Sequence, residues 1–319
     1  QMYLFRCTDN NLLQWSFVKP FLENDRFQEV GDDGACPYFV PIANDKRLLL
    51  HFSHRCAPKY LIGDYVPESQ EFKPFNGERF TSGYGVLIAP SAFACPDGSA
   101  ALIFNMPENR QYTDWGGVLT LPRRISVGGI WHDELRQTPL ADLSQLHKDH
   151  IAYNLVTLEA GKVMIPKEVH GNTFEMNLTL LPEDIPPVLE IEVLRSPGGE
   201  ETTCITFFRQ RGGGYAMLPY TTDSVIMLDT AHSSTDPRAD MLPPEILPVV
   251  LEREETLFLR IFVDKSVVEV FVNDRQCVCM RAYPVRPDSK CISLLARGRN
   301  AVVQKLDFWT MGSIYTNDE

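Results

Sequence analysis

Apolar and polar residues alternate with a period of two along most of the chain. The runs are rich in β-branched and aromatic residues, and Gly, Pro, Asn and Asp interrupt them at short intervals. This pattern predicts an all-β protein. In the first part, short strands are expected over 2–7, 15–18, 38–42, 47–53, 60–65, 91–95, 101–106, 118–121 and 124–127. Turns are expected at Ala43-Asn44-Asp45 and Pro96-Asp97-Gly98, so the stretch reads as antiparallel propeller blades. Helix signals are sparse. The best one has Thr138 as N-cap and Pro139 at the first helical position, with Leu140, Leu143 and Leu146 following at threefold spacing.

Beyond that helix the strands lengthen, over 173–181, 188–194, 202–209, 224–228, 257–263, 266–272, 276–283, 290–296 and 301–309. From Leu257 to Val263 both faces are apolar except at Arg260, which predicts a strand lying between two sheets. Asp264-Lys265 and Asn273-Asp274 flank the next strand as tight turns, giving two successive hairpins. The division that follows is a partial β-propeller over 1–131, a linker with a short helix over 132–150, and a β-sandwich over 151–319.

Composition narrows the functional classes. The 319 residues carry a net charge of −12, which disfavours an electrostatic grip on nucleic acid or an anionic membrane surface. With 44% hydrophobic residues but only short apolar runs, the chain reads as globular rather than disordered or membrane-spanning. The eight cysteines include no C-x-x-C pair and read mostly as buried free thiols, with Cys277 and Cys279 on one face of a strand.

The segment Leu259-Arg260-Ile261-Phe262-Val263-Asp264-Lys265-Ser266-Val267-Val268-Glu269-Val270-Phe271-Val272-Asn273-Asp274 closely resembles the C-terminal sandwich signature of glycoside hydrolase family 32, the invertases, inulinases and levanases. Three upstream pieces agree in order: Leu12-Leu13-Gln14-Trp15, Cys36-Pro37, and the run from Trp115 through Gly116-Gly117-Val118-Leu119-Thr120-Leu121-Pro122 to Arg123. The resemblance implies a five-bladed β-propeller that holds the active site, followed by a β-sandwich, and a glycosidase acting on fructosyl or related furanosyl linkages. It implies no metal or organic cofactor, a neutral saccharide as ligand, and a secreted or periplasmic setting rather than a cytoplasmic one. The family's nucleophile segment, Trp-x-Asn-Asp-Pro-Asn, and its Arg-Asp-Pro segment do not occur here. By the family's order the chain starts within the third blade, so a homo-oligomer or a second chain completing the propeller is a further expectation.

Where the family carries its acid/base glutamate, immediately before Cys-Pro, this chain has Ala35, and Tyr38 replaces the usual aspartate after proline. Retaining hydrolysis needs two carboxyl groups about 5 to 5.5 Å apart, and the acid needs a raised pKa. Asp33 and Asp32 precede Ala35 closely, and a loop adjustment can bring one of them into the vacated place. Asp33 is nearer. The alternative is that Gly31-Asp32-Asp33-Gly34 is only a solvated turn. Tyr38, His54, Ser91, Asn105 and Trp115 are the candidate sugar-binding residues, offering neutral hydrogen-bonding groups and an aromatic platform. His51 reads as structural. His147 and His150 would share a face only if the helix extended that far, and they lack a third ligand. Loss of acid catalysis at Ala35 keeps a second reading open, a non-catalytic carbohydrate-binding protein derived from the family.

Overall fold

The computed structural model describes residues 2–22, 27, 31–43, 45–55, 57–82, 86–107, 116–129, 134–209, 221–239, 242–252 and 254–315. The chain divides into two compact units, the first through Gln1–Pro107 and Gly117–Leu140, the second through Ala141–Glu319.

Three antiparallel sheets make up the first unit. A ribbon pairs β1 (Tyr3–Cys7) with β2 (Trp15–Pro20). A four-stranded meander follows in chain order: β3 (Ala35–Ile42), β4 (Lys46–Ser53), β5 (Ala57–Val66) and β6 (Glu71–Arg79). The third sheet contains β7 (Ile88–Ala94), β8 (Ala100–Met106), the two-residue β9 (Val118–Leu119), β10 (Arg123–Gly128) and β11 (Glu134–Pro139). Its strands run in the order β11, β10, β8, β7, with β9 also pairing to β8. The apolar runs explain the burial. Leu48, Leu49 and Leu50 of β4 and Leu61 and Ile62 of β5 are essentially inaccessible, so these central strands are covered on both faces.

The second unit opens with a 3₁₀ turn, Leu143–Leu146. It continues through β12 (His147–Leu158), β13 (Thr173–Leu180), β14 (Val188–Arg195), β15 (Thr203–Phe208), β16 (Thr221–Asp229), β17 (Glu245–Glu252), β18 (Leu257–Asp264), β19 (Val267–Val272), β20 (Gln276–Arg281), β21 (Cys291–Arg297) and β22 (Ala301–Met311). One sheet has the order β12, β22, β13, β18, β19, β20, and the other β17, β16, β15, β14, β21. Together they form a β-sandwich. Its buried apolar residues fall at alternating positions, as in Phe174, Met176, Leu178 and Leu180 of β13 and Leu189, Ile191 and Val193 of β14. The expected hairpins around β19 are present, and Lys265, Asn273 and Asp274 take the left-handed backbone that such tight turns require. In β12 the pairing with β22 is interrupted between Lys148 and Ile151, where Asp149 has φ 42°, and Leu155 is left-handed as well.

Two expectations need correction. No helix begins at Thr138: Thr138 and Pro139 lie in β11, paired with Arg124 and Arg123, and the backbone N–H of Leu140 donates to Pro122. Period-two burial across Glu134–Pro139 outweighs the local capping pattern, and the single helical turn is capped instead by Asp142, whose side chain accepts from the Ser144 N–H. His147 and His150 accordingly stand on a bulged strand, where their rings stack on Trp309 at 4.4 and 4.8 Å, and each pairs with a carboxylate, Glu175 and Asp307. The seven described cysteines are all free, but only Cys277 and Cys279 are buried. Cys7, Cys95, Cys204 and Cys291 are half-buried, and Cys36 is exposed.

Candidate functional site

The loop before β3 turns on two glycines. Gly31 (φ 83°) and Gly34 (φ 60°) both occupy the left-handed region, and a Cβ on Gly34 would stand 2.8 Å from the Met2 side chain. Between them the two aspartates diverge, one inward and one outward.

Asp32 is buried. Its Oδ2 receives a hydrogen bond from the Lys59 Nζ at 3.0 Å, and its Oδ1 lies 3.8 Å from the His51 Nδ1. His51 and Lys59 are direct cross-strand partners on β4 and β5, so the ladder register brings both to one carboxylate. Burial alone pushes the Asp32 carboxyl up, yet the Lys59 hydrogen bond and the charges of His51 and Lys59 outweigh it and hold it below the usual range. Burial pushes the His51 imidazole down, with the nearby Asp32 charge only partly opposing it.

Asp33 faces outward and binds the turn after β4 twice. Its Oδ1 accepts from the His54 backbone N–H at 3.1 Å, and its Oδ2 lies 2.5 Å from the His54 Nδ1. The His54 side-chain hydrogen bond is the main reason its carboxyl lies below the ordinary carboxylate range. At neutral pH it is therefore an anionic acceptor. Ala35 pairs with Phe52 in the β3–β4 ladder, and the Phe52 ring meets His54 edge-on at 5.0 Å. The Asp33–His54 pair thus sits beside Ala35. A cavity of about 430 Å³ opens at Asp33 and Gly34, with Tyr3, Pro37, Phe39 and Tyr65 among its walls.

Tyr38 of β3 and Ser91 of β7 are joined by a 3.3 Å hydrogen bond from the tyrosine hydroxyl, which links the first strands of two sheets. Asn105 pairs along the ladder with Ile88 and Leu119, and its Oδ1 lies 3.1 Å from where a Cβ of Gly117 would stand; Gly117 has φ 80°, a backbone conformation in which a larger residue would be strained. Trp115 lies outside the described residues. The structure therefore brings together Asp33 with His54 and Tyr38 with Ser91, and commits Asp32 to a separate buried cluster. Sequence reasoning missed Lys59 and the walls of the cavity. The only available signal for Lys59 was its place opposite His51, which requires the β4–β5 register. Among the described residues no three His, Cys, Asp or Glu side chains are arranged to hold a metal ion.

The model of glycosyl hydrolases family 32 C terminal matches residues 140–310. The chain belongs to glycosyl hydrolase family 32. Relatives extend the likeness across the first unit. A levanase of Bacillus sp. (strain L7) is 23% identical over 98% of this chain and 34% of its own length. A sucrose-6-phosphate hydrolase of Zymomonas mobilis is 25% identical over 94% of this chain and 58% of its own length. The family 32 chain thus spans about a third to somewhat over half of these relatives. Among solved structures, fructan 1-exohydrolase IIa from Cichorium intybus superposes with a TM-score of 0.81 at 17% identity, covering 98% of this chain and 66% of that one. A second structure of that exohydrolase, in complex with 1-kestose, has a TM-score of 0.77, again at 17% identity, over 96% of this chain and 66% of that one.

Proposed function

We propose that the protein is a glycoside hydrolase acting on fructosyl or related furanosyl linkages of a neutral saccharide. In this reading residues 1–131 supply later blades of a five-bladed propeller, 132–150 a linker and 151–319 the accessory sandwich. The observation that carries it is the membership in family 32, together with an alignment to a levanase that runs over 98% of the chain. The four-stranded meander β3–β6 and the neighbouring sheet with β7 as its first strand support the blade assignment. The hydrogen-bonded pair Asp33 and His54 supplies the proton-transferring group in place of the family's glutamate, while Tyr38, Ser91 and Asn105 offer hydroxyl and amide groups to sugar hydroxyls and Trp115 offers an aromatic face. Asp32, closed in by Lys59, supports the loop from beneath. A carboxylate nucleophile from outside these residues completes the chemistry.

Incubation of the full-length protein with sucrose, inulin and levan tests this reading, and release of fructose is the expected result. Ala35 favours one other reading, a carbohydrate-binding protein without turnover, for which binding of the same sugars without hydrolysis would decide. Light scattering tests whether a second copy or chain completes the propeller, and a strictly monomeric, active protein would exclude that arrangement.

A further inference from the structure

We propose that His54 is the proton donor and acceptor of the reaction and that Asp33 is its orienting partner. This assignment rests on the glycosidase reading above and exchanges the roles that sequence proximity alone would give the two residues.

Four observations on the sheet carry it. Ala35 leaves no proton-transferring group at the family's position, and it is paired with Phe52, whose ring contacts His54. The Asp33 carboxylate holds His54 at two points, the backbone N–H and Nδ1, so the ring is fixed in orientation as well as in place. With Nδ1 facing Asp33, the tautomer is set and Nε2 is the atom left to exchange a proton. The His54 side chain is 63% exposed, and among the described residues Nε2 has no hydrogen-bond partner. A carboxylate that orients one imidazole nitrogen while the other faces outward is the arrangement by which acid–base catalysis runs through histidine.

The step balances as follows. A carboxylate nucleophile forms a bond to the anomeric carbon while the bond from that carbon to the leaving oxygen breaks. The Nε2 proton of the imidazolium passes to that oxygen, leaving a neutral imidazole with its Nδ1 proton on the Asp33 side. In the second half, Nε2 takes a proton from water as the water oxygen displaces the carboxylate and releases the sugar.

The test uses the full-length protein with His54→Gln, His54→Ala and Asp33→Asn, each checked for folding by circular dichroism. Two substrates are compared: sucrose or levan, whose leaving oxygen needs a proton, and fructosyl fluoride, whose leaving group needs none. On the sugar substrate His54→Gln is expected to lower kcat on the order of 10²- to 10⁴-fold. On the fluoride the loss is expected to stay below about tenfold, because only the protonation of the leaving group has been removed. Added imidazole is expected to restore part of the activity of His54→Ala. In Asp33→Asn, nitrogen NMR of labelled histidine is expected to show His54 losing its fixed Nδ1-protonated tautomer. Equal loss on both substrates, or full activity of His54→Gln on levan, overturns the assignment and leaves the glycosidase reading standing. A wild-type protein that turns over neither substrate overturns the glycosidase reading and this assignment with it.

Discussion

Glu201 lies in the turn after β14, is inaccessible to solvent, and receives five hydrogen bonds. Its Oε1 accepts from the Thr235 N–H and hydroxyl at 2.9 and 3.0 Å and from the Val285 N–H at 3.1 Å. Its Oε2 accepts from the Arg286 N–H at 3.1 Å and the Ser289 hydroxyl at 2.6 Å. One carboxylate therefore fastens three separate segments of the sandwich. Burial pushes its pKa up, but these donors together bring it from the usual 4.5 to about 2. At about 1.4 kcal/mol per pH unit, that difference is worth about 3 kcal/mol of folding stability at neutral pH. Because the folded pKa is depressed, the contribution is fully present above pH 4.5 and is lost as the pH falls through 2. Glu201→Gln keeps the shape but removes the charge and sets an amide NH₂ against the Arg286 N–H. We expect the urea-derived stability of the sandwich to fall by about 3 kcal/mol at pH 7, and the gap to wild type to narrow by about 2 kcal/mol at pH 3. Hydrogen exchange at Thr235, Val285 and Arg286 should accelerate together in the variant. A gap that is equally wide at both pH values would refute the account, since it would show that the loss comes from packing and not from the ionised carboxylate.

Lys59→Met should destabilise the first unit by about 3–5 kcal/mol by leaving Asp32 buried without its cation, and adding Asp32→Leu should recover much of the loss. Thermal unfolding of the single and double variants measures this, and an additive double variant would contradict the pairing. Tyr38→Phe should cost about 0.5–1.5 kcal/mol, and a cycle with Ser91→Ala should be non-additive because both changes remove one hydrogen bond. Ile261→Ala, in a fully buried position of β18, should cost about 2–5 kcal/mol in urea unfolding.

The sandwich and its hairpins were legible because their central strands carry long apolar runs whose turns are marked by Asp-Lys and Asn-Asp. The four strands that escaped the reading, β6, β11, β12 and β17, are all at sheet edges. An edge strand has one bonded neighbour, so it tolerates what a central strand does not: Pro74 and Gly77 in β6, Pro139 in β11, Pro248 in β17. Those residues look like breaks when read as a linear pattern. The site was legible in part for a related reason. Asp33 and His54 are each suggestive alone, but the hydrogen bond between them closes across 21 positions of sequence and depends on a ladder that no local spacing encodes. Tyr38 and Ser91 are likewise joined only once two sheets are set side by side.

The bulge and the left-handed Leu155 give the outermost strand of the sandwich an uneven profile. A twelve-residue strand with regular unpaired backbone groups would be a template on which a neighbouring molecule could extend the sheet. With Asp149 and Leu155 turned out of the regular conformation, those groups do not present a continuous row, and the exposed Leu155 side chain is carried on backbone that a docking strand cannot match. Restoring a smooth strand there would be expected to favour edge-to-edge association and to reduce solubility before it changed the fold.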